Sequence, residues 1–234
     1  MKSSAIFFVC IVVATFTAQA FDIKDDTKIC GVCSQPVHVK IAISIQTVGS
    51  RDLDLRPAPE LRDTLKYQIQ YCPKCGYCWP DIAKERKREK IDHILNQPIQ
   101  YDDIAALFAR AAAIEIADNA PSFASFMLFL KAAWVCDDLK NKRKSDDYRR
   151  LASHQMDLYM ERDAIARTTG DNYLTQVDVV RRIGDFDKAR RLLAIADLYA
   201  KESILPLILA FQKKLVENKD TGRYTVADVL TLQQ

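Results

Sequence analysis

Residues 72–76 read CPKCG, a segment typical of a tight turn that binds a metal ion through two cysteine thiolates. The proline after the first cysteine and the glycine after the second favour a turn whose backbone N–H groups point at the sulfurs. Residues 30–34 read CGVCS and repeat the cysteine spacing without that proline and glycine. The 38 residues between the pairs allow the two turns to lie at opposite ends of a strand-loop-strand unit, as in a zinc ribbon. We therefore expect one structural zinc ion per chain, held by Cys30, Cys33, Cys72 and Cys75.

The sequence between the cysteine pairs predicts two short strands joined by a loop. Apolar and polar residues alternate over residues 37–45 and again over residues 66–71, as in strands with one buried face. The connecting residues 49–59 read GSRDLDLRPAP, and their glycine, proline and charge content indicates an exposed connection. Four charged residues of this loop form either a structural clasp, which we favour over catalysis, or a solvated turn with weak local ion pairs: Arg51, Asp52, Asp54 and Arg56.

From residue 81 onward the chain is expected to be almost entirely helical. Apolar residues recur at helical spacing from near Asp102, again after Pro121, and a third time over residues 148–159. Pro121 suits a first helical turn, because its missing N–H would have no partner there. Successive amphipathic helices of this kind predict a stack in which neighbouring helices cover one another's apolar faces.

Residues 184–189 read GDFDKA and predict a helical hairpin. Gly184 can adopt the left-handed conformation that ends a helix, and Ala189 lets two helix backbones approach closely. The element resembles the turn of a tetratricopeptide (TPR) repeat, although Val177 and Lys201 stand where that repeat has a small residue and a proline. The expected fold is therefore mainly α, with a small β zinc ribbon followed by an antiparallel TPR-like α-helical stack.

Composition excludes several classes of enzyme. The chain is 49% hydrophobic and 28% charged, which is ordinary for a globular protein. It has six glycines and no phosphate-binding glycine motif, nucleophile elbow or zinc-protease motif, so nucleotide enzymes, α/β-hydrolases and zinc proteases are not expected. The 34 basic and 31 acidic residues nearly balance, and nucleic acid is therefore not an expected partner.

The first twenty residues have the pattern of a secretory signal peptide. An apolar run over residues 5–16 is followed by TAQA at residues 17–20, a small-residue ending that predicts cleavage near Ala20. The run is shorter than the ~20 residues of a membrane-spanning helix, and no other segment is apolar enough to span. We expect a secreted or periplasmic protein without a membrane span in the mature chain. Its predicted parts are a signal peptide (1–20), a four-cysteine zinc-ribbon-like domain (21–80) and a TPR-like helical domain (81–234).

The paired cysteines, the GSRDLDLRP segment at residues 49–57 and the hairpin at residues 184–189 together resemble one known family. This is a bacterial family described as a domain of unknown function, number twenty-two twenty-five, and the resemblance covers most of the mature chain. It implies a four-cysteine zinc ribbon joined to TPR-like helices, with the ligands at the four cysteines named above and with no assigned activity. Two features depart from the family pattern: the first cysteine pair lacks the proline, and Cys78 stands where a small residue is expected.

Three alternatives use the cysteines differently. The six cysteines after the signal could form disulfides in an oxidising compartment, with 15 possible pairings, and Cys78 could pair with Cys136. Cys75 and Cys78 precede a helix expected near Asp81 and could serve a thiol-disulfide redox protein, although no βαβ pattern surrounds them. Cys72, Cys75 and Cys78 also have part of the spacing of an iron–sulfur ligand run.

The predicted function is a non-enzymatic protein-interaction or scaffold module rather than an enzyme. A closed four-thiolate zinc site leaves no coordination position for water or substrate, so the zinc is expected to be structural. The partner is expected to be an unidentified protein or peptide that binds a groove of the helical stack, where exposed aromatic side chains such as Tyr173 or Tyr199 would contact it.

Overall fold

The computed structural model describes residues 21–46 and 49–231. Over this part of the chain the fold is mainly helical, with two small antiparallel two-stranded sheets. The first sheet pairs β1 (Asp22–Ile29) with β2 (Pro36–Ile43), and the second pairs β3 (Gln70–Tyr71) with β4 (Cys78–Trp79). A 3-10 helix, Pro59–Tyr67, lies between the two sheets in sequence.

Nine α-helices follow within the described residues. Their bounds are α1 Arg88–Leu95, α2 Ile104–Asp118, α3 Phe123–Asp138, α4 Lys142–Arg162, α5 Ala164–Arg167, α6 Gly170–Arg182, α7 Phe186–Tyr199, α8 Leu205–Glu217 and α9 Val226–Thr231. None of the described helices combines the length and hydropathy that crossing a membrane would require. The predicted signal peptide lies outside the described residues.

The strand prediction is confirmed for β2 and is largely wrong for residues 66–71. Only Gln70 and Tyr71 of that segment are in a strand, because the 3-10 helix continues to Tyr67. Pro59 begins that helix, and its buried side chains recur three to four residues apart at Leu61, Thr64 and Leu65. The helical spacing upstream therefore outweighs the local alternation at residues 66–71.

The helix expected near Asp81 begins later, at Arg88. The backbone around residue 82 is already engaged with the sheets: Ile82 N–H donates to Gln70 Oε1 at 3.0 Å, and Ile82 O accepts from Gly31 N–H at 2.9 Å. Residues 81–87 therefore form turns that bind the cysteine segments, and a helix starting at Asp81 would lose these contacts.

The predicted helices after residue 100 are confirmed, with differences at their ends. Asp103 caps α2 and Ser122 caps α3, so Pro121 precedes the cap and is not in the first turn. The hairpin is formed by α6 and α7, where Gly184 has a φ of +80° and Asp185 caps α7. Ala189 is fully buried in this hairpin, as its expected role in close helix packing requires.

Two groups of buried side chains form the core. The larger group lies among helices α2 to α8 and also takes in Leu53 and Leu65 from the segment before the second cysteine pair. The smaller group surrounds the cysteine turns and includes Val37, Tyr77 and Ile91. Because Leu53 and Leu65 pack into the helical core, the residues between the two sheets are an integral part of that core.

Candidate metal centre

The four predicted ligands come together in the structure. The Sγ atoms of Cys30, Cys33, Cys72 and Cys75 all lie within 4.8 Å of one another. Cys30 Sγ is 3.8 Å from Cys75 Sγ, and Cys33 Sγ is 3.6 Å from Cys72 Sγ. A tetrahedral zinc with Zn–S bonds of ~2.3 Å places its sulfurs ~3.8 Å apart, whereas a disulfide bond is ~2.05 Å long. The spacing fits a tetrahedral metal site, and no disulfide forms among the described cysteines.

Each cysteine pair occupies the turn of one β-hairpin, and the two turns have the same backbone hydrogen bonds. In the first turn, Cys30 N–H donates to Gln35 O and Ser34 N–H donates to Cys30 O. In the second turn, Cys72 N–H donates to Tyr77 O and Gly76 N–H donates to Cys72 O. The repeated pattern explains how two segments of different sequence present their sulfurs in the same way.

A left-handed residue follows the second cysteine of each turn. Gly76 has a φ of +74° in the second turn, where glycine was expected. Ser34 occupies the equivalent position in the first turn and has a φ of +57°. A serine is strained in this region, so the first turn keeps its conformation at a cost that the second turn avoids.

Gly31 explains why the first turn lacks the proline. Its N–H donates to Ile82 O at 2.9 Å, and proline has no N–H to donate. A Cβ at this position would lie 2.4 Å from Lys84 O, which is backbone and cannot easily move aside. The absence of a proline at this position therefore follows from the close approach of residues 82–84 to the first cysteine turn.

Replacing Gly31 with alanine is expected to destabilise the protein. The added methyl group must push the first turn away from Lys84, and overpacking of this kind costs ~1–3 kcal/mol. Urea unfolding of Gly31→Ala measures the loss. The control is Lys74→Ala, an exposed position in the second turn, which we expect within ~0.5 kcal/mol of the parent. An unchanged unfolding midpoint for Gly31→Ala would contradict the close approach.

Backbone N–H groups and burial act in opposite directions on the thiols. Burial raises the pKa of Cys30 and Cys75, although backbone hydrogen bonds from Val32 and Tyr77 lower it in part. Burial also acts to raise the pKa of Cys33. Hydrogen bonds from the Gln35 backbone and from neighbouring thiols outweigh burial, so the pKa of Cys33 is lowered. A cluster of buried and half-buried sulfurs that accept backbone N–H hydrogen bonds suits thiolates whose charge is balanced by a metal cation.

Arg110 supplies a positive charge beside the second cysteine turn. Its guanidinium donates to Gly76 O at 3.3 Å and to Gln97 O and Pro98 O at the end of α1. Arg110 is nearly buried and has no carboxylate partner among the described residues. Its charge acts on the neighbouring Cys78 thiol, where it partly offsets the burial that raises the pKa. Sequence reasoning missed Arg110, since α2 brings it to the site from 32 residues beyond the nearest cysteine, Cys78.

Cys78 and Cys136 lie apart from the four-thiol cluster. Both are buried and free, and Cys78 Sγ contacts Gly76 O at 3.5 Å. Burial raises the pKa of Cys78 to about 12 and that of Cys136 to about 11. Thiols with such pKa values are almost entirely protonated near neutral pH and are poor nucleophiles. The pairing of Cys78 with Cys136 stays a prediction.

The middle of the charged loop, residues 52–58, is largely buried, so the exposure expected of residues 49–59 is wrong for that part. Asp52, Asp54 and Arg56 are at most 1% exposed, and Arg51 alone of the four charged residues is at the surface. The backbone of residues 51–53 pairs with residues 224–226, with Leu53 N–H donating to Tyr224 O at 2.9 Å. The loop thereby contacts the C-terminal end of the described chain.

Asp54 is the centre of a buried polar network. Its Oδ2 accepts hydrogen bonds from Trp134 Nε1 at 3.0 Å, Arg149 Nη2 at 3.3 Å and Arg182 Nη1 at 2.6 Å. Burial acts to raise the pKa of Asp54, but Arg182, Arg149 and the Trp134 N–H outweigh it and the pKa is lowered. One carboxylate thus connects α3, α4 and α6 to the loop.

Neighbouring charges extend this network. Asp137 accepts from Arg149 at 2.7 Å and from Arg182 at 2.9 Å, and Arg56 pairs with Asp138. Burial acts to raise the pKa of Asp137, but Arg149 and Arg182 outweigh it and hold this pKa at about 2. Asp52 differs, because burial and the charge of Asp54 raise its pKa to about 6. The side chains of Arg56, Arg149 and Arg182 are all less than one-tenth exposed. The charged loop residues that pair with them therefore pack among the helices.

The aromatic side chains predicted to contact a partner are not both exposed. Tyr173 is 5% exposed, stacks on Tyr199 with ring centroids 6.1 Å apart, and donates its hydroxyl to Arg167 O. The prediction is therefore wrong for Tyr173, whereas Tyr199 is 38% exposed. An exposed apolar stripe on α7 accompanies Tyr199 and consists of Ala194, Ile195 and Leu198.

Comparison with known proteins finds no relative of this chain. No family model matches the chain, and no curated protein or solved structure is significantly similar to it.

Proposed function

We propose that this protein is a non-enzymatic interaction module whose N-terminal part is held together by one structural zinc ion. The observation that carries the proposal is the placement of four cysteine sulfurs within 4.8 Å of one another, two from each hairpin. Each two-stranded hairpin is too small to be stable alone, and a shared metal would join them. Zinc is the metal that four thiolates in a tetrahedral arrangement favour.

The helices would provide the surface for a partner. The α6–α7 hairpin, with its glycine turn and buried alanine, supports a TPR-like stack as the architecture of residues 81–234. On α7, Ile195, Leu198 and Tyr199 are exposed at helical spacing, and such a stripe suits contact with the apolar face of another protein. Secretion, the division into a ribbon and a helical domain, and membership of the domain-of-unknown-function family belong to the same proposal.

A redox role for Cys75 and Cys78 has less support. Cys75 lies in the four-thiol cluster, whereas Cys78 is fully buried in the helical core and has a strongly raised pKa. A disulfide exchange protein needs an accessible thiolate at the first step. The proposal therefore assigns Cys75 to the metal and Cys78 to packing.

Site-specific photo-crosslinking tests the interaction role. A photoreactive amino acid at Leu198, which is 66% exposed on α7, is expected to yield one discrete crosslinked product in the native compartment. The matched control is Leu139, which is 71% exposed between α3 and α4 and lies outside the stripe. No product at Leu198, or the same products at both positions, would argue against α7 as the binding surface.

A further inference from the structure

A groove of about 490 Å³ lies between the two β-hairpins. One wall is formed by residues 36–40 of β2, and the other by residues between Lys66 and Pro73, including Tyr67 and Tyr71. The volume is within the ~300–1,000 Å³ of typical ligand sites. The groove is distinct from the metal centre, since none of the four clustered cysteines lines it.

The groove follows the hydrogen-bonding edge of β2. Residues 36–40 line it and no residue of β1 does, so the groove lies on the side of β2 that faces away from β1. The other edge of β2 is paired with β1 over its whole length. In the part of the chain that the structure describes, no further strand pairs with β2, so its backbone N–H and C=O groups on this side have no strand partner.

The opposite wall of the groove includes β3, a strand that pairs with one other strand. Gln70 and Tyr71 form β3, which pairs with β4 and with no other strand among the described residues. Tyr67 and Ile69 add apolar surface beside it. An extended segment that pairs with β2 in this groove would therefore also contact Tyr67, Ile69 and β3.

The charges of the groove all have one sign. Lys40 and Lys66 line it together with His38, and no carboxylate is among its lining residues. The nearest acidic partner of Lys40 is Asp25 on β1, at 4.0 Å, with both side chains exposed. Exposed pairs of this kind are weak, so Lys40 is available to a ligand.

We propose that this groove binds an extended peptide segment that alternates apolar and acidic residues, adding it to the edge of β2. Val37 and Val39 lie on the buried face of β2, whereas His38 and Lys40 lie on its exposed face. A strand added alongside continues both faces, so its apolar residues extend the first and its acidic residues meet the second. The inference rests on the proposed interaction role and gives that role a partner of defined chemistry.

Isothermal titration of the purified, zinc-containing protein with the blocked peptide VEVEVEV tests the proposal. Saturable binding with one peptide per chain is expected. The peptide VKVKVKV has the same backbone and the opposite charge, and we expect it to bind at least about tenfold more weakly. A VEVEVEV peptide that is N-methylated at every residue has no backbone N–H group to donate from either edge, and its binding should be lost.

Protein variants separate the groove from the rest of the surface. Lys40→Glu combined with Lys66→Glu should weaken VEVEVEV binding by about tenfold, because each lost ion pair is worth a few-fold and the reversed charges repel the peptide. The control combines Lys201→Glu with Lys214→Glu, which makes the same change of charge on exposed residues of the helical part. The control should bind the peptide within about twofold of the parent.

Four outcomes would overturn the proposal. Equal binding of the acidic and basic peptides would show that the lysines do not select the ligand. Equal binding of the N-methylated and unmethylated peptides would show that the ligand does not pair with β2 as a strand. A dimer in sedimentation that dissociates on Lys40→Glu and Lys66→Glu, with no peptide binding, would assign the groove to a second copy of the chain. Zinc is measured on the same samples. A protein that contains zinc but does not bind the peptide would contradict only the proposed peptide site. A protein without zinc would contradict the proposed function.

Discussion

Replacing Cys72 with serine is expected to abolish metal binding and to lower the midpoint of thermal unfolding by about 10 °C or more. Cys72 is fully buried, and its sulfur lies 3.6 Å from that of Cys33, so no other side chain can replace it. Structural zinc contributes ~10–16 kcal/mol of apparent binding free energy in small zinc domains. Loss of even ~4 kcal/mol of this corresponds to ~10 °C in a chain of this size. Metal analysis and calorimetry measure the two effects.

The matched control for this prediction is Cys78→Ala. Cys78 is also a fully buried cysteine, only six residues from Cys72, but it lies outside the four-thiol cluster. We expect this variant to keep one zinc per chain and to lose only the ~1–2 kcal/mol of a small core substitution. Equal loss of metal in both variants would mean that the site is not the cluster of four thiols.

Asp54→Asn is expected to destabilise the protein by ~3–5 kcal/mol, the typical cost of removing one partner of a buried ion pair. The substitution keeps the shape of the side chain but leaves the buried charges of Arg149 and Arg182 without this carboxylate. It also places an NH₂ group where the Trp134 N–H or an arginine now donates. Urea unfolding at pH 7 measures the change in free energy.

The control is Asp63→Asn, which removes an exposed carboxylate from the 3-10 helix. This variant is expected within ~0.5 kcal/mol of the parent protein. A loss below about 1 kcal/mol for Asp54→Asn would show that the loop can be released from α3, α4 and α6 without cost, contrary to the buried network described above.

The cysteine site was predictable because its information is local in the sequence. Each pair of ligands is separated by two residues, and the backbone of one tight turn fixes both sulfurs. The helical hairpin was predictable for the same reason, since Gly184 and Ala189 act within one turn. In both cases each turn is specified by residues within it, whereas the approach of the two cysteine turns to each other joins residues 39 and 45 positions apart.

The buried loop could not be predicted, because its partners are distant in sequence. Asp54 is 80 residues from Trp134, 95 from Arg149 and 128 from Arg182. By composition alone, a segment rich in charge, glycine and proline is indistinguishable from an exposed turn. The burial of Tyr173 has the same origin, since Tyr199 covers it from the next helix.

The most direct test of the account is a joint measurement of metal and free thiols on protein isolated from its own compartment without added metal or reductant. We predict one zinc per chain, with Cys30, Cys33, Cys72 and Cys75 protected from alkylation until the zinc is removed by a chelator. Removal of the zinc should unfold the N-terminal hairpins. A protein without metal, in which these four cysteines are joined by disulfides, would contradict the account.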